Sequence, residues 1–257
     1  MSWTLSRQGD VVIATMCSNP VNKMNPGFFD DLNEALDILD REHPGCSLVL
    51  TAEGRTFSAG LDFEDVFPRF ARGDQDEIAS WFRAFRGALL RVLTLPVRTV
   101  AAVNGNAFAG GLILVACCDW RVGVEGRGRF ALNEVPIGIP MPGTYVEILR
   151  YAVGSTVAAD TTLSGRVFGA EEAREKGYFH ALVPQDALLE VAVKEAARMT
   201  PDSAPAYATS KQILQGPMLK RFERIDGLDL KAIRTVMHPS SVRAQAAALE
   251  KLKGAHR

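Results

Sequence analysis

This sequence predicts an α/β fold, and three observations lead there. Short apolar runs recur at residues 46–51, 98–103 and 120–124. The first two lead into glycine-bearing turns, at 57–62 and 104–111, and then into helical periodicity. A chain of 257 residues can bury a sizeable core, as one large domain or as one domain with a helical appendage. Repeated strand–turn–helix order places functional groups where strands hand over to helices.

Residues 3–5 and 11–16 flank Gly9-Asp10 and predict an opening hairpin, because the strands are β-branched and the turn can take positive φ. Pro26 suits the first turn of a helix reaching about Arg41, with Phe29, Leu32, Leu36 and Leu39 at helical spacing. The run 46–51 reads as a buried strand, interrupted by polar, glycine-containing residues at 53–60. A helical pattern resumes after Gly73, marked by Ile78, Trp81, Phe82, Phe85, Leu89 and Val92 and stopped near Pro96. The strand 98–103 precedes the second glycine turn, an apolar helix ending before Asp119, and the strand 120–124. A polar loop at 125–129 leads to 130–134 and a proline- and glycine-rich passage at 136–143. Helices are expected at 144–152, 157–163, 170–176 and 187–199. Beyond Thr200, Pro201, Pro205 and Pro217 punctuate helical segments, and a last helix covers 240–253. Its alanines leave little volume for a separate core, so the tail is expected to pack on its own body or on a neighbouring subunit.

Composition narrows the function. With 47% hydrophobic residues, 23% charged residues and a net charge of -1, the chain has no basic excess for binding nucleic acid. Its longest apolar stretch, 107–118, is too short to span a bilayer. Residues 1–8 hold no apolar signal core, which points to a cytoplasmic protein. Cys17, Cys46, Cys117 and Cys118 form no Cys-x-x-Cys pair and are expected to be reduced thiols. The four histidines lack metal-ligand spacing, so no metal is expected; His238 reads as a helix-end residue.

Phe57-Ser58-Ala59-Gly60-Leu61-Asp62, then Val103-Asn104-Gly105-Asn106-Ala107-Phe108-Ala109-Gly110-Gly111, Cys118-Asp119, Phe130-Ala131-Leu132-Asn133-Glu134 and Ile137-Gly138-Ile139 stand in this order. Together they resemble the crotonase superfamily, the enoyl-CoA hydratase/isomerase group, over roughly residues 10–190. The resemblance implies a crotonase-like (ClpP/crotonase) spiral of strand–strand–helix repeats with a C-terminal helical region. It assigns 1–200 to an acyl-CoA-binding core and 201–257 to helical assembly, as a homotrimer or homohexamer. Coenzyme A would arrive as part of the thioester substrate, and no other cofactor is expected.

By the same resemblance, the N–H groups of Leu61 and Gly110 form an oxyanion hole. Removing a proton beside a thioester puts charge on its oxygen, and two preorganised amides stabilise that charge more than the neutral carbonyl. One such donor contributes about 3–4 kcal/mol. Gly60 and Gly110 let the backbone approach a ligand closely, although glycines serve ordinary strand-to-helix turns equally well. Coenzyme A would lie along the backbone of Phe57, Ser58 and Ala59, against an apolar wall of Val21 and Met24. Arg55 would meet a phosphate or be a solvated loop charge; Lys23 reads as a surface lysine.

Glu134 sits in an apolar stretch, where a carboxylate should be paired, ligated or catalytic. Partial burial would raise its pKa into the range of proton transfer. Its structural alternative is pairing with Arg127 or Arg129. In the resemblance it matches the later of two hydratase glutamates and the single glutamate of Δ3,Δ2-enoyl-CoA isomerases. The earlier hydratase glutamate falls at Ile113, which can neither position water by a carboxylate nor return a proton. Leu112, Ile113 and Leu114 would wall the site or simply face the core. No Asp or Glu lies between Val135 and Tyr145, so Met141 and Pro142 read as packing or acyl-pocket residues. Tyr145 would line the pocket, with Trp81, Phe82 and Phe85 as its roof or as core. Asp62 would cap the helix after it, and Glu64 reads as a solvated charge there.

The pattern therefore favours an enoyl-CoA isomerase acting through a single glutamate. An enoyl-CoA hydratase, another acyl-CoA enzyme of this superfamily and a non-catalytic acyl-CoA-binding protein are the alternatives. The absence of charge in 107–118 and 136–142 favours a medium-chain or modestly bulky aliphatic acyl group.

Overall fold

Strands β1 (Trp3–Gln8) and β2 (Val11–Met16) pair antiparallel about Gly9, whose φ of 58° suits a residue without Cβ. The computed structural model describes residues 2–72, 74–222 and 225–255, without the side chains of Phe70, Asp226 and 252–255. After β3 (Lys23–Met24), helix α1 (Pro26–Glu42) starts where the Asn25 side chain accepts from the Phe28 N–H at 2.9 Å. It buries Phe28, Phe29, Leu32, Leu36 and Leu39, the face given by its apolar spacing.

Strand β4 (Ser47–Ala52) then leads through β5 (Thr56–Ser58) and β6 (Gly60–Leu61) to α2 (Phe63–Arg72) and α3 (Gln75–Thr94). The next turn of the spiral runs β7 (Thr99–Val103), β8 (Asn106–Phe108) and α4 (Gly110–Ala116). A third runs β9 (Trp120–Val124), β10 (Phe130–Ala131), a 3-10 turn at Val135–Ile137 and α5 (Gly143–Val153). Helices α6 (Ser155–Ser164) and α7 (Ala170–Glu175), strand β11 (Ala181–Val183) and helix α8 (Leu188–Ala196) follow. The chain continues in α9 (Ala204–Phe222), α10 (Asp226–Val236) and α11 (Pro239–Ala255).

The main sheet has the order β1-β2-β4-β7-β9-β11, parallel from β2 onward. The second strand of each spiral turn joins a smaller parallel sheet, β10-β8-β5, while β3 pairs with β6. Alternation along the main strands sends Val11, Ile13, Val49, Val100, Ala102 and Val122 towards Leu188, Ala192 and Ala196 of α8. Val12, Ala14, Met16, Leu48 and Leu50 enter the larger core on the other face. Strand–strand–helix recurrence is therefore the architecture, as expected.

Three details differ from the sequence reading. Residues 53–60 are not a plain interruption but contain β5 and the start of β6; β3 is a further strand. Their pairing partners lie far along the chain, so two or three residues carry no periodicity of their own. Helical structure also begins at Phe63, ahead of Gly73, because α2 tolerates Pro68 inside it.

The C-terminal helices pack on this body. Lys211 of α9 pairs with Asp119 at 2.8 Å, and the same Asp119 oxygen accepts from the Tyr207 hydroxyl at 2.8 Å and the Thr99 N–H at 3.0 Å. Helix α11 crosses the 135–137 turn so closely that a Cβ on Gly138 would stand 2.9 Å from the Ala244 Cβ and 3.0 Å from the Ser241 carbonyl oxygen. Removing one partner of a buried ion pair leaves an uncompensated charge. Lys211→Met is expected to lower unfolding free energy by about 3–5 kcal/mol. The check is a lower denaturant midpoint at unchanged m-value; an unshifted midpoint refutes the role given to the pair.

Candidate active site

Two turns meet at one point because neither has a side chain in the way. Gly60 takes φ 82°, and a Cβ there would stand 2.7 Å from the Phe108 carbonyl oxygen and 3.2 Å from the Gly110 nitrogen. A Cβ on Gly110 would stand 2.8 Å from the Phe85 ring, 3.4 Å from the Met24 sulfur and 3.6 Å from the Leu61 side chain. Leu61, Gly110, Met24 and Phe85 therefore surround the same small space. Gly111 sits equally close to β5, where a Cβ would lie 2.7 Å from the Ser58 carbonyl oxygen.

The peptide before Gly110 is held in an unusual conformation. Ala109 has φ 49° and ψ -126°, a costly region for a residue with a Cβ. Its own N–H is fixed to the Ala131 carbonyl at 2.9 Å. Gly110 opens α4, so its N–H has no acceptor within the helix. On the facing side, Met24 pairs with Leu61 in the β3–β6 ladder.

Sequence reasoning missed the support beneath the first turn. Asn22 is fully buried at φ 50°, and its side-chain nitrogen donates to the Thr56 carbonyl at 3.0 Å and the Glu53 carbonyl at 3.3 Å. The Ser58 hydroxyl donates back to the Asn22 carbonyl at 2.7 Å. An asparagine between Val21 and Lys23 was the available signal, since asparagine tolerates the left-handed region.

Glu134 lies three residues beyond Ala131, the end of β10 and the acceptor of the Ala109 N–H. Its carbonyl accepts from the Ile137 and Ile139 N–H groups at 3.1 and 2.9 Å, which fixes the backbone. Its side chain is 6% exposed, with Oε2 buried and unpartnered. Burial pushes the carboxyl up to about 7. The alternative pairing with Arg127 or Arg129 does not occur: Arg127 donates to the Gln185 side chain and Arg129 is exposed.

Tyr145 is the second buried polar group here. Its hydroxyl has no partner, and its ring packs edge-on against Phe85 at 5.0 Å. Burial, then the Glu134 charge, raises the phenol well above its ordinary range, so it stays protonated. Asp229 of α10, another residue missed in the sequence, accepts from the Gly143 N–H at 2.8 Å and holds the start of α5. Pro142 is buried and Met141 half-buried in the passage leading there.

Ile113 is fully buried, as are Leu112 and Leu114, all within the core cluster. Phe85 also packs on Phe29 at 4.6 Å and Trp81 at 5.6 Å, so the aromatic stripe is core, touching the site through Phe85. Met24 is completely buried between the turns, while Val21 is 36% exposed. Phe57 and Ser58 are fully buried and can offer a ligand only backbone; the Ala59 N–H is already bonded to the Val21 carbonyl at 2.9 Å. Arg55 is exposed. Lys23 pairs with Glu64 at 2.8 Å and Asp62 at 3.5 Å, and the Asp62 side chain accepts from the Glu64 N–H at 3.2 Å at the start of α2. His238 bonds Ser240 at 2.7 Å at the start of α11. Among the described residues, no cluster of potential ligands could hold a metal and no helix is long and apolar enough to cross a membrane.

Comparison with known proteins agrees with this geometry. Residues 7–256 match the enoyl-CoA hydratase/isomerase family, and the chain belongs to it. A Thermus thermophilus protein provisionally named an enoyl-CoA hydratase is 34% identical over 196 residues, 75% of each chain. The Arabidopsis thaliana protein named peroxisomal enoyl-CoA delta isomerase 2 is 30% identical over 176 residues, 66% of this chain and 72% of that one. The crystal structure of human mitochondrial delta3-delta2-enoyl-CoA isomerase superposes with a TM-score of 0.90 over 99% of both chains, at 23% identity, a likeness of fold.

The raised Glu134 pKa has a consequence for stability. Because the folded state favours the protonated carboxyl, its contribution is complete below the unfolded value of 4.5 and is lost as pH rises through about 7. The loss is about 3 kcal/mol. Glu134→Gln cannot ionise, so its stability relative to the parent should improve by that order between pH 4 and pH 8.5. Denaturant unfolding at both pH values checks this, and a constant difference would remove the buried-acid interpretation.

Proposed function

We propose that this member of the enoyl-CoA hydratase/isomerase family shifts the double bond of a 3-enoyl-CoA to the 2-trans position. The carrying observation is a single buried, unpaired carboxyl, Glu134, titrating near 7, in a chain whose residue three beyond Gly110 is the buried aliphatic Ile113. The ionised Glu134 removes a proton from C2 of the thioester. The electron pair of that C–H bond forms the enolate, and the thioester oxygen takes the charge. The N–H groups of Leu61 and Gly110 donate to this oxygen. Collapse of the dienolate takes the proton from Glu134 at C4. The double bond thereby moves from C3–C4 to C2–C3, and the carboxylate is regenerated.

Coenzyme A would be received as part of the substrate, along the backbone of 57–59, with Arg55 free to approach a phosphate. The apolar surroundings support a medium-chain or modestly bulky aliphatic acyl group, since each buried methylene contributes about 0.8 kcal/mol. The relative named as an isomerase supports the reaction. Self-association as a trimer or hexamer belongs to the same proposal. A cytoplasmic location accords with four free cysteines.

Hydration is the second reading, favoured by the name of the Thermus relative. It needs a water positioned by two acids, and Ile113 supplies none. Purified protein should convert 3-hexenoyl-CoA to the 2-trans isomer, with Glu134→Gln reducing turnover by about 10²–10⁴-fold while still binding the thioester. In the parent, kcat/KM should rise with pH through an apparent pKa near 7, as Glu134 ionises to act as base. Undiminished turnover in the variant would remove Glu134 from the mechanism. Rapid formation of 3-hydroxybutyryl-CoA from crotonyl-CoA would instead establish hydration.

A further inference from the structure

A cavity of about 420 Å³ opens between α9, the end of α5 and the start of β9. This volume is within the range of small-molecule sites, about 300–1,000 Å³. Glu134 is not among its lining residues, and the proposed isomerase chemistry makes no use of it. Three cations line it, Arg98, Arg121 and Lys211, against one carboxylate, Asp119.

Two of those cations are neutralised by carboxylates. Lys211 pairs with Asp119 at 2.8 Å and Arg98 with Glu195 at 3.2 Å. Arg121 meets only carbonyl oxygens, those of Cys118 at 2.8 Å, Tyr178 at 2.9 Å, Gly177 at 3.2 Å and Ala152 at 3.3 Å. These bonds take four of its five N–H donors without supplying a full negative charge, and the residue is 6% exposed. Asp119 acts on Arg121 electrostatically but is bonded to Lys211, so the Arg121 charge is only partly compensated. A buried cation carries a large desolvation cost, and a cleft with low-dielectric walls focuses its field on whatever enters.

The remaining polar groups do not cancel that charge. The His180 ring Nδ1 accepts from the Arg121 backbone N–H at 3.1 Å, which leaves hydrogen on Nε2 as a donor. Burial and the neighbouring Arg121 hold this imidazole neutral, down at about 4. Burial keeps the Cys117 and Cys118 thiols protonated, and the Tyr207 hydroxyl is given to Asp119. Leu214, 68% exposed, and Tyr151, 39% exposed, give the mouth an apolar side beside the exposed Ser210.

We propose that this cavity binds a small organic monocarboxylate, its carboxylate directed at Arg121 and His180 and its hydrocarbon end against Tyr151 and Leu214. One excess positive charge matches a monoanion, and the apolar mouth distinguishes an organic acid from an inorganic ion. The site is separate from the isomerase proposal and stands or falls by binding alone.

Trp120 stacks on His180 at 5.7 Å and reports on the site, whereas Trp3 and Trp81 are buried in the core. The full chain is titrated with sodium butyrate at constant ionic strength, by intrinsic fluorescence and by calorimetry. The expected result is a saturable fluorescence change that disappears in Trp120→Phe, with binding heat retained. Leu214→Asp, which sets a carboxylate at the exposed mouth, should weaken binding by about tenfold; Leu214→Asn should leave it unchanged. No saturable heat with the parent protein overturns the proposal. So does an equal response to sodium chloride or phosphate, or an affinity that Leu214→Asp leaves intact.

Discussion

Contact between two backbone turns is the constraint on which the rest of this molecule depends. Gly60 and Gly110 are the positions where any side chain would collide with the opposing turn or with Phe85. Holding them together requires β5, β6 and β8 to leave the main sheet and pair elsewhere, which explains the small second and third sheets. It also accounts for two residues with side chains in left-handed or strained backbone, Asn22 and Ala109, each locked by hydrogen bonds on both sides. Such conformations persist only where the surroundings over-determine them.

Near that contact, by way of Phe85 and Tyr145, the protein buries an ionisable group. Glu134 has neither a cation nor a hydrogen-bond donor at Oε2, so burial outweighs the one opposing bond from its own backbone and raises its proton affinity. The cost is tolerated because the backbone about Glu134 is fixed by two N–H donors and roofed by α11. Stability and reactivity pull in opposite directions at this one residue, as is usual where acid–base chemistry occurs. Tyr145 extends the pattern with a phenol that packs like phenylalanine yet retains a donor.

Much of this was legible in the sequence because glycine turns between strands and helices are local signals. The segments at 57–62, 104–111 and 130–134 announced themselves by composition and order. The strands β3, β5 and β6 did not, since two or three residues become a strand only when a distant partner arrives. Pro68 concealed α2 in the same way that it would end most helices. The complete burial of Met24 was not legible either, because it comes with the β3–β6 pairing. Asp229 meets Gly143 across 86 residues, and Arg98, Arg121 and Lys211 come together from three separate elements. No local pattern encodes such meetings.

The strand order of the main sheet has a bearing on how the chain assembles. Strands β1, β2, β4, β7, β9 and β11 lie side by side in the order of synthesis. Each new strand therefore finds its partner already made, and the sheet lengthens along one edge as the polypeptide emerges. Parallel pairing normally folds slowly because its contacts are distant in sequence. Here every loop to be closed spans only one spiral turn, so the entropy of closure is met in instalments, never all at once. The small sheet grows in step, β5 before β8 before β10, and the two glycine turns can meet as soon as β8 has docked on β5.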